Sequence, residues 1–271
     1  MSVNGGTELY GIMGNPVSHS LSPAMHNAAF QHLGLNKVYV PFATQDAAAA
    51  INGFRALGVK GVSVTIPHKQ AVIPQLDGID PVAAKIGAVN TLIINGTNVY
   101  GCNTDWLGAN AALKELTPLK GKNVLLLGAG GSARAIGFGL LEEGASLTLA
   151  SRTPTTGKDL AAALGCPWTP LHAISGVRAD ILINATSVGM GAGHEQTPIA
   201  CQSLVHFGIV MDIVYAPLET KLLREAKAAG CRTINGLAML LYQGVAQFEL
   251  WTGLDAPVEI MRQQLLSGMQ R

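Results

Sequence analysis

Two residues of this chain have the type and the setting for proton transfer. Lys69 follows Gly61-Val-Ser-Val-Thr-Ile-Pro-His68, a strand-like run that Pro67 ends. Asp105 closes Gly101-Cys-Asn-Thr-Asp105, where a strand gives way to a helix. A lysine beside a carboxylate can pass a proton to or from a carbinol oxygen while hydride moves at its carbon. Each also has an ordinary use. A lysine past a strand end is a solvated charge, and an aspartate at a helix start is a cap. In Gly14-Asn-Pro-Val-Ser-His-Ser-Leu-Ser-Pro23, Ser18 and Ser20 stand two apart. In an extended segment that spacing turns both hydroxyls to one side and His19 to the other. Such a pair can hold a carboxylate or a polyol. A serine-rich turn, with Ser22 capping the helix that follows, is the equal alternative.

A second constellation is Asn123-Val-Leu-Leu-Leu-Gly-Ala-Gly-Gly-Ser-Ala-Arg-Ala135, which reads as a buried strand, a glycine turn and a helix start. Gly128, Gly130 and Ala133 fit G-x-G-x-x-A: a tight turn, close backbone approach to a pyrophosphate, and close helix–sheet packing. The helix N-terminus that follows, over Gly131 and Ser132, offers backbone N–H groups and a positive dipole end to phosphates. A helix to Glu143, a stop at Gly144 and a second strand over 146–150 complete the unit. An NAD site places an acid about 20 residues after the first glycine. Here the second strand runs into Ser151-Arg152-Thr153, and the fork of Arg152 suits a 2′-phosphate. The expected cofactor is NADP(H).

The elements that must position these groups alternate strand and helix. In the first half, strands are expected over 8–13, 38–43 and 61–66, with Val62, Val64 and Ile66 on one face and Ser63 and Thr65 on the other. Ser22 is the expected N-cap of a helix to about Leu33, and Asp46 caps one to Leu57. Asn95-Gly96 marks a hairpin between 91–94 and 98–102. In the second half a helix is expected over 159–164, strands over 179–186 and 208–215, and helices over 219–229, 237–250 and from Pro257 to about Gly268. The fold class is α/β with two domains. Residues 1–105 with 237–271 form the expected catalytic domain, and residues 106–236 a doubly wound Rossmann domain. Ligands in such sheets bind at strand carboxyl ends, so substrate is expected in a cleft between the domains.

Composition agrees. Of 271 residues, 48% are hydrophobic and 13% charged, which excludes disorder. The formal net charge is +1, and no basic patch points to nucleic acid. No apolar run approaches the ~18 residues of a membrane span. The N-terminal stretch carries no secretory pattern. Four scattered cysteines suit reduced thiols, and seven histidines make no ligand-spaced pair, so no metal is expected. The expectation is a cytoplasmic enzyme acting on a small molecule without nucleic-acid or membrane partners, a homodimer being an open arrangement.

These segments together resemble the shikimate dehydrogenase family nearly end to end. NPVSHSLSPAMHN, SVTIPHK, GAVNTL, GCNTDWLG, GAGGSARA, SRT, NATSVGM, DIVYAP and NGLAMLLYQG occur in family order. The resemblance implies reversible, NADPH-dependent reduction of 3-dehydroshikimate to shikimate by a catalytic α/β domain paired with a Rossmann domain. It implies that the final helices return to the first domain. It assigns Ser18 and Ser20 to the substrate carboxylate, with Tyr215 supporting that end. Thr65, Asn90, Asp105 and Gln243 are assigned to the ring hydroxyls, Lys69 to catalysis and Asp105 to its partner. The cofactor set it implies is Gly128, Ala129, Gly130, Gly131, Ser132, Ser151, Arg152, Thr153, Ile213 and Gly236.

Three positions depart from the family pattern. Ser63 stands where Asn is common, Ser151 where Asn precedes the arginine, and a second basic residue is absent from 154–157, leaving Lys158 as the nearest. The competing readings are a quinate/shikimate dehydrogenase, a non-catalytic nucleotide-sensing module and a methylene-folate dehydrogenase. Arg152 argues against an NAD-preferring version of the first. Lys69 with Asp105 argues against the second. The Ser-x-Ser and Asn-Thr-Asp segments are foreign to the third.

Overall fold

Val124-Leu-Leu-Leu127 has no polar face, the mark of a strand covered on both sides. In the computed structural model, which describes residues 3–269, all four of these residues are buried, at most 2% exposed. The chain divides into two units: residues up to Thr104 with those from Gln243 onward, and Asp105–Tyr242.

The first unit begins β1 (Glu8–Gly14), α1 (Ser22–His32), β2 (Lys37–Ala43), α2 (Ala47–Ala56) and β3 (Gly61–Val64). It continues β4 (Gly78–Ile79), α3 (Pro81–Ile86), β5 (Thr91–Asn95) and β6 (Asn98–Cys102). Its sheet has the order β2-β1-β3-β5-β6-β4. β1 pairs parallel with β2 and β3, whereas β3–β5 and β5–β6 are antiparallel. The Asp46 side chain accepts from Ala49 N at 2.9 Å and so caps α2. Asp80 does the same for α3 through Val82 N and Ala83 N.

The second unit holds α4 (Asp105–Lys114), β7 (Asn123–Leu127), α5 (Gly131–Glu142), β8 (Ser146–Ser151), α6 (Pro154–Leu164) and β9 (Trp168–Pro170). Then follow β10 (Ile181–Asn184), β11 (Ile209–Asp212), α7 (Lys221–Ala228), β12 (Arg232–Ile234) and the long α8 (Gly236–Thr252). The sheet order is β12-β11-β10-β7-β8-β9 with every pair parallel. That is the doubly wound 3-2-1-4-5-6 order, whose switch point lies between its first and fourth strands, here β7 and β10. Helix α8 runs on into the first unit, where α9 (Val258–Gly268) ends the described chain. Met239 and Tyr242 pack with the core of the second unit. The division therefore falls inside α8 rather than before Leu237.

Several local expectations are corrected. The N-cap of α1 is Leu21, and Ser22 is its first helical residue. Residues 17–20 are not extended, because Ser20 N bonds Val17 O at 3.1 Å and closes a turn. The extended geometry expected for Ser18 and Ser20 is therefore replaced by a turn. Strand β3 stops at Val64, and Ile66, expected on its buried face, is 62% exposed. Helix α6 starts five residues before Asp159, because Pro154 suits a first turn. β10 (Ile181–Asn184) and β11 (Ile209–Asp212) are shorter than expected. Asp105 is the first residue of α4 rather than the residue before it.

Candidate active site

Three backbone bonds gather the candidate segments of the first unit. Asn15 N donates to Ile66 O at 2.9 Å, which ties the Ser18–Ser20 turn to the segment after β3. Thr65 N donates to Met13 O at 2.9 Å, and Val89 N to Lys69 O at 2.7 Å. Thr65, Lys69 and Asn90 thus lie along one stitched seam. Ser18 is exposed, Lys69 is half-buried, and Ser20 is half-buried with its Oγ accepting from Ser22 N at 3.2 Å.

Asn90 sits at the centre of a buried polar cluster and is itself 2% exposed. Its Oδ1 accepts from Thr104 N and from Thr91 Oγ1, each at 2.7 Å. Its Nδ2 donates to Thr104 Oγ1 at 3.0 Å and to Gln243 Oε1 at 3.4 Å. Behind it runs a chain the sequence reading missed. Tyr39 OH donates to Ser63 Oγ at 2.6 Å, and Ser63 donates to Gln247 Oε1 at 2.7 Å. Gln247 Nε2 then donates to Thr91 Oγ1 at 2.9 Å and to Asn90 O at 3.1 Å. Buried amides and hydroxyls are costly unless paired, and here each satisfies the next. One signal was available: Gln243 and Gln247 stand four apart, on one side of a mostly apolar helix. The shorter Ser63 side chain is spent within this chain of bonds.

Asp105 follows Thr104 directly, is 4% exposed and stands in the first turn of α4. Tyr215 belongs to the second unit and is half-buried. Burial raises its phenol above the usual range.

The candidate cofactor residues all belong to the second unit. Gly128 has φ +116°, and a Cβ there would stand 2.7 Å from Ala185 O, so both conformation and space demand glycine. It lies at the end of β7 beside the residue that follows β10, which is the switch point. Around Gly130 there is open space, and this N-cap gives α5 no side-chain cap. The open turn ahead of the α5 N-terminus, with the helix dipole behind it, fits a pyrophosphate. Arg152 is exposed at the end of β8. Ser151 is buried, donating to Thr153 O at 2.9 Å and accepting from Trp168 Nε1 at 3.0 Å. Lys158 Nζ lies 5.2 Å from the centre of the Trp168 ring, a cation–π contact. Ile213 N donates to Asn184 O at 3.1 Å, and Gly236 packs against the Ile213 carbonyl.

Beside Ile213, Asp212 is fully buried. Burial pushes its carboxyl up to about 6, against bonds from Thr220, Val214 and Asn184 that favour the charged form. Among the described residues, no cluster of three or more His, Cys, Asp or Glu is placed to hold a metal. No described helix is long and apolar enough to cross a membrane.

A parallel sheet in 3-2-1-4-5-6 order, a glycine turn at its switch point and an arginine ending the second strand define a dinucleotide-binding α/β protein. Residues 12–92 match the shikimate dehydrogenase substrate binding domain, and residues 236–266 the shikimate 5′-dehydrogenase C-terminal domain. The shikimate dehydrogenase (NADP(+)) of Methanothermobacter thermautotrophicus is 47% identical, and the match covers 99% of each chain. A crystal structure of a shikimate dehydrogenase in complex with NADP+ is 40% identical, with a TM-score of 0.94 over 100% of this chain and 98% of the other. The Thermus thermophilus shikimate 5-dehydrogenase, solved with NADP(H) and shikimate, is 38% identical, with a TM-score of 0.89 over 97% of this chain and all of the other. The chain belongs to the shikimate dehydrogenase family.

Proposed function

We propose that the chain is an NADP-dependent shikimate dehydrogenase, reversibly reducing 3-dehydroshikimate to shikimate. The observation that carries this reading is a pairing within one chain. Its dinucleotide turn is followed by Arg152 in place of an acid, and its other unit buries an uncharged cluster, Asn90 with Gln243, suited to a polyol ring. The name shared by its relatives supports the same activity.

When bound, the nicotinamide supplies the hydride that reduces the carbonyl carbon, or takes it up in the reverse direction. The chain's own residues do the rest. Lys69 gives a proton to the oxygen that becomes the hydroxyl and accepts it back on oxidation, with Asp105 as its charged partner. Asn90, Gln243 and Thr65 hold the ring hydroxyls. Ser18 and Ser20 hold the carboxylate, with Tyr215 at that end. Gly128 to Ser132 cradle the pyrophosphate, Ser151 to Thr153 take the 2′-phosphate end through Arg152, and Ile213 with Gly236 line the nicotinamide. A small-molecule enzyme with free cysteines fits a cytoplasmic setting.

The test is the initial rate of nicotinamide reduction by the purified protein in four mixtures: shikimate or quinate, each with NADP+ or NAD+. Fast turnover only with shikimate and NADP+ is expected. A rate with quinate matching that with shikimate would favour the broader quinate/shikimate activity, and none in any mixture would overturn the reading.

A further inference from the structure

In the second unit the fully buried carboxylate of Asp212 is held by neutral hydrogen-bond donors. Asp212 ends β11 and lies in register beside Asn184, which ends β10. Its Oδ1 accepts from Asn184 Nδ2 at 2.9 Å and from Val214 N at 3.0 Å. Its Oδ2 accepts from Thr220 Oγ1 at 2.7 Å. Each partner passes the constraint on. Asn184 Oδ1 accepts from Thr186 N and Thr186 Oγ1, at 3.1 and 2.7 Å, and Asn184 Nδ2 reaches Val188 O at 3.2 Å. Thr220 Oγ1 accepts from Leu223 N at 3.3 Å and so caps α7. One side chain thus ties down two loops, 185–190 and 213–220.

Both loops press on the cofactor candidates. A Cβ on Gly128 would meet Ala185 O at 2.7 Å and Thr186 Cγ2 at 3.3 Å. A Cβ on Gly236 would meet Ile213 O at 2.3 Å and the Val214 carbonyl carbon at 2.7 Å. A buried charge is costly, and hydrogen bonds from fixed donors are what make it tolerable. Simple packing of two strand ends would need no carboxylate.

We propose that Asn184, Asp212 and Thr220 form a positioning knot for the dinucleotide, holding the two loops against Gly128 and Gly236 and so setting cofactor affinity without touching the cofactor. The inference rests on the NADP(H) reading above. It makes Asp212 and Thr220 positioning residues rather than catalytic ones.

The experiment measures the dissociation constant of NADPH by its fluorescence, with KM for shikimate and kcat alongside, in Thr220→Val, Thr220→Ser and Asp212→Asn. Thr220→Val loses both the bond to the carboxylate and the cap, whereas Thr220→Ser keeps both. The expected result is NADPH binding weakened roughly ten-fold in Thr220→Val, restored in Thr220→Ser, with KM for shikimate nearly unchanged. If Thr220→Val cannot be obtained folded, Asp212→Asn carries the comparison, since it keeps the shape and replaces one acceptor oxygen by a donor. Lower thermal stability with wild-type NADPH affinity in the folded variants would overturn the knot's role. Failure of the unaltered protein to bind NADPH would overturn the cofactor reading instead, and the knot's role with it.

Discussion

The backbone N–H of Thr104 donates to Asn90 Oδ1 at 2.7 Å, and this bond fixes which way the buried amide points. A backbone N–H can only donate, so the oxygen must face it and the NH2 must face Thr104 Oγ1 and Gln243. On the side toward Gln243, Asn90 is therefore a donor. Asn90→Asp keeps the oxygen that Thr104 needs and replaces the NH2 by a second acceptor, set against Gln243 Oε1. KM for shikimate should rise at least about ten-fold, while KM for NADP+ stays close to the wild-type value. Steady-state kinetics with each substrate varied in turn checks this, and an unchanged KM for shikimate would remove Asn90 from the ring site.

Lys69 stands on the stitched segment after β3, its carbonyl bonded by Val89 N at 2.7 Å. That bond belongs to the backbone, so Lys69→Ala should leave the seam in place. The account expects kcat to fall by about 10²–10⁴ with KM for shikimate much less affected. A variant with near-normal kcat would return Lys69 to being a solvated charge.

Much of the fold was legible because the signals were local. Buried parallel strands read as continuous apolar runs, and Asp46 and Asn95-Gly96 act on their immediate neighbours. Failures came where a local rule had two outcomes. Ser18 and Ser20 stand two apart in a turn as readily as in a strand, and the bond from Ser20 N to Val17 O decides for the turn. Ser22 and Asp105 are each the first helical residue, so each helix starts one residue earlier than capping would place it. Gly128, Lys69 and Asn90 could be named as candidates from the sequence because they sit in short motifs. The chain from Tyr39 through Ser63 to Gln247 was not, because its links span 24 and 184 residues. The Asn184–Asp212–Thr220 knot was hidden for the same reason, although polar residues ending two apolar strands were in view.

His26 makes acid stability a test of packing in the first unit. Its ring stacks on Tyr39 with centres 4.5 Å apart, and it is fully buried. Burial lowers its pKa from 6.5 to about 3, partly opposed by Gln247. Between those values the unfolded chain binds a proton that the folded chain does not. Stability is lost as pH falls below 6.5, by up to about 1.4 kcal/mol per pH unit from this group. Urea titrations from pH 7 to pH 4 should therefore show a steeper loss in the wild type than in His26→Phe. Parallel curves would mean that the ring is protonated inside the fold.

Arg152 is exposed at the end of β8, while the nearest other candidate, Lys158, lies over Trp168. Arg152→Asp replaces attraction for a 2′-phosphate by repulsion and offers an acceptor to a 2′-OH. The preference for NADP+ over NAD+, measured as a ratio of kcat/KM, should drop by about ten-fold or more, with KM for shikimate little altered. An unchanged ratio would transfer the phosphate-reading role to another group, Lys158 first.

The central claim is direct hydride transfer between the nicotinamide of NADP(H) and the ring carbon of shikimate. Its most direct test incubates the protein with 3-dehydroshikimate and NADPH carrying deuterium at both C4 positions, then weighs the product by mass spectrometry. The expected product is shikimate heavier by one deuterium, bound to the carbon that bears the new hydroxyl. Shikimate formed without deuterium, or no shikimate formed while NADPH binds, would contradict it.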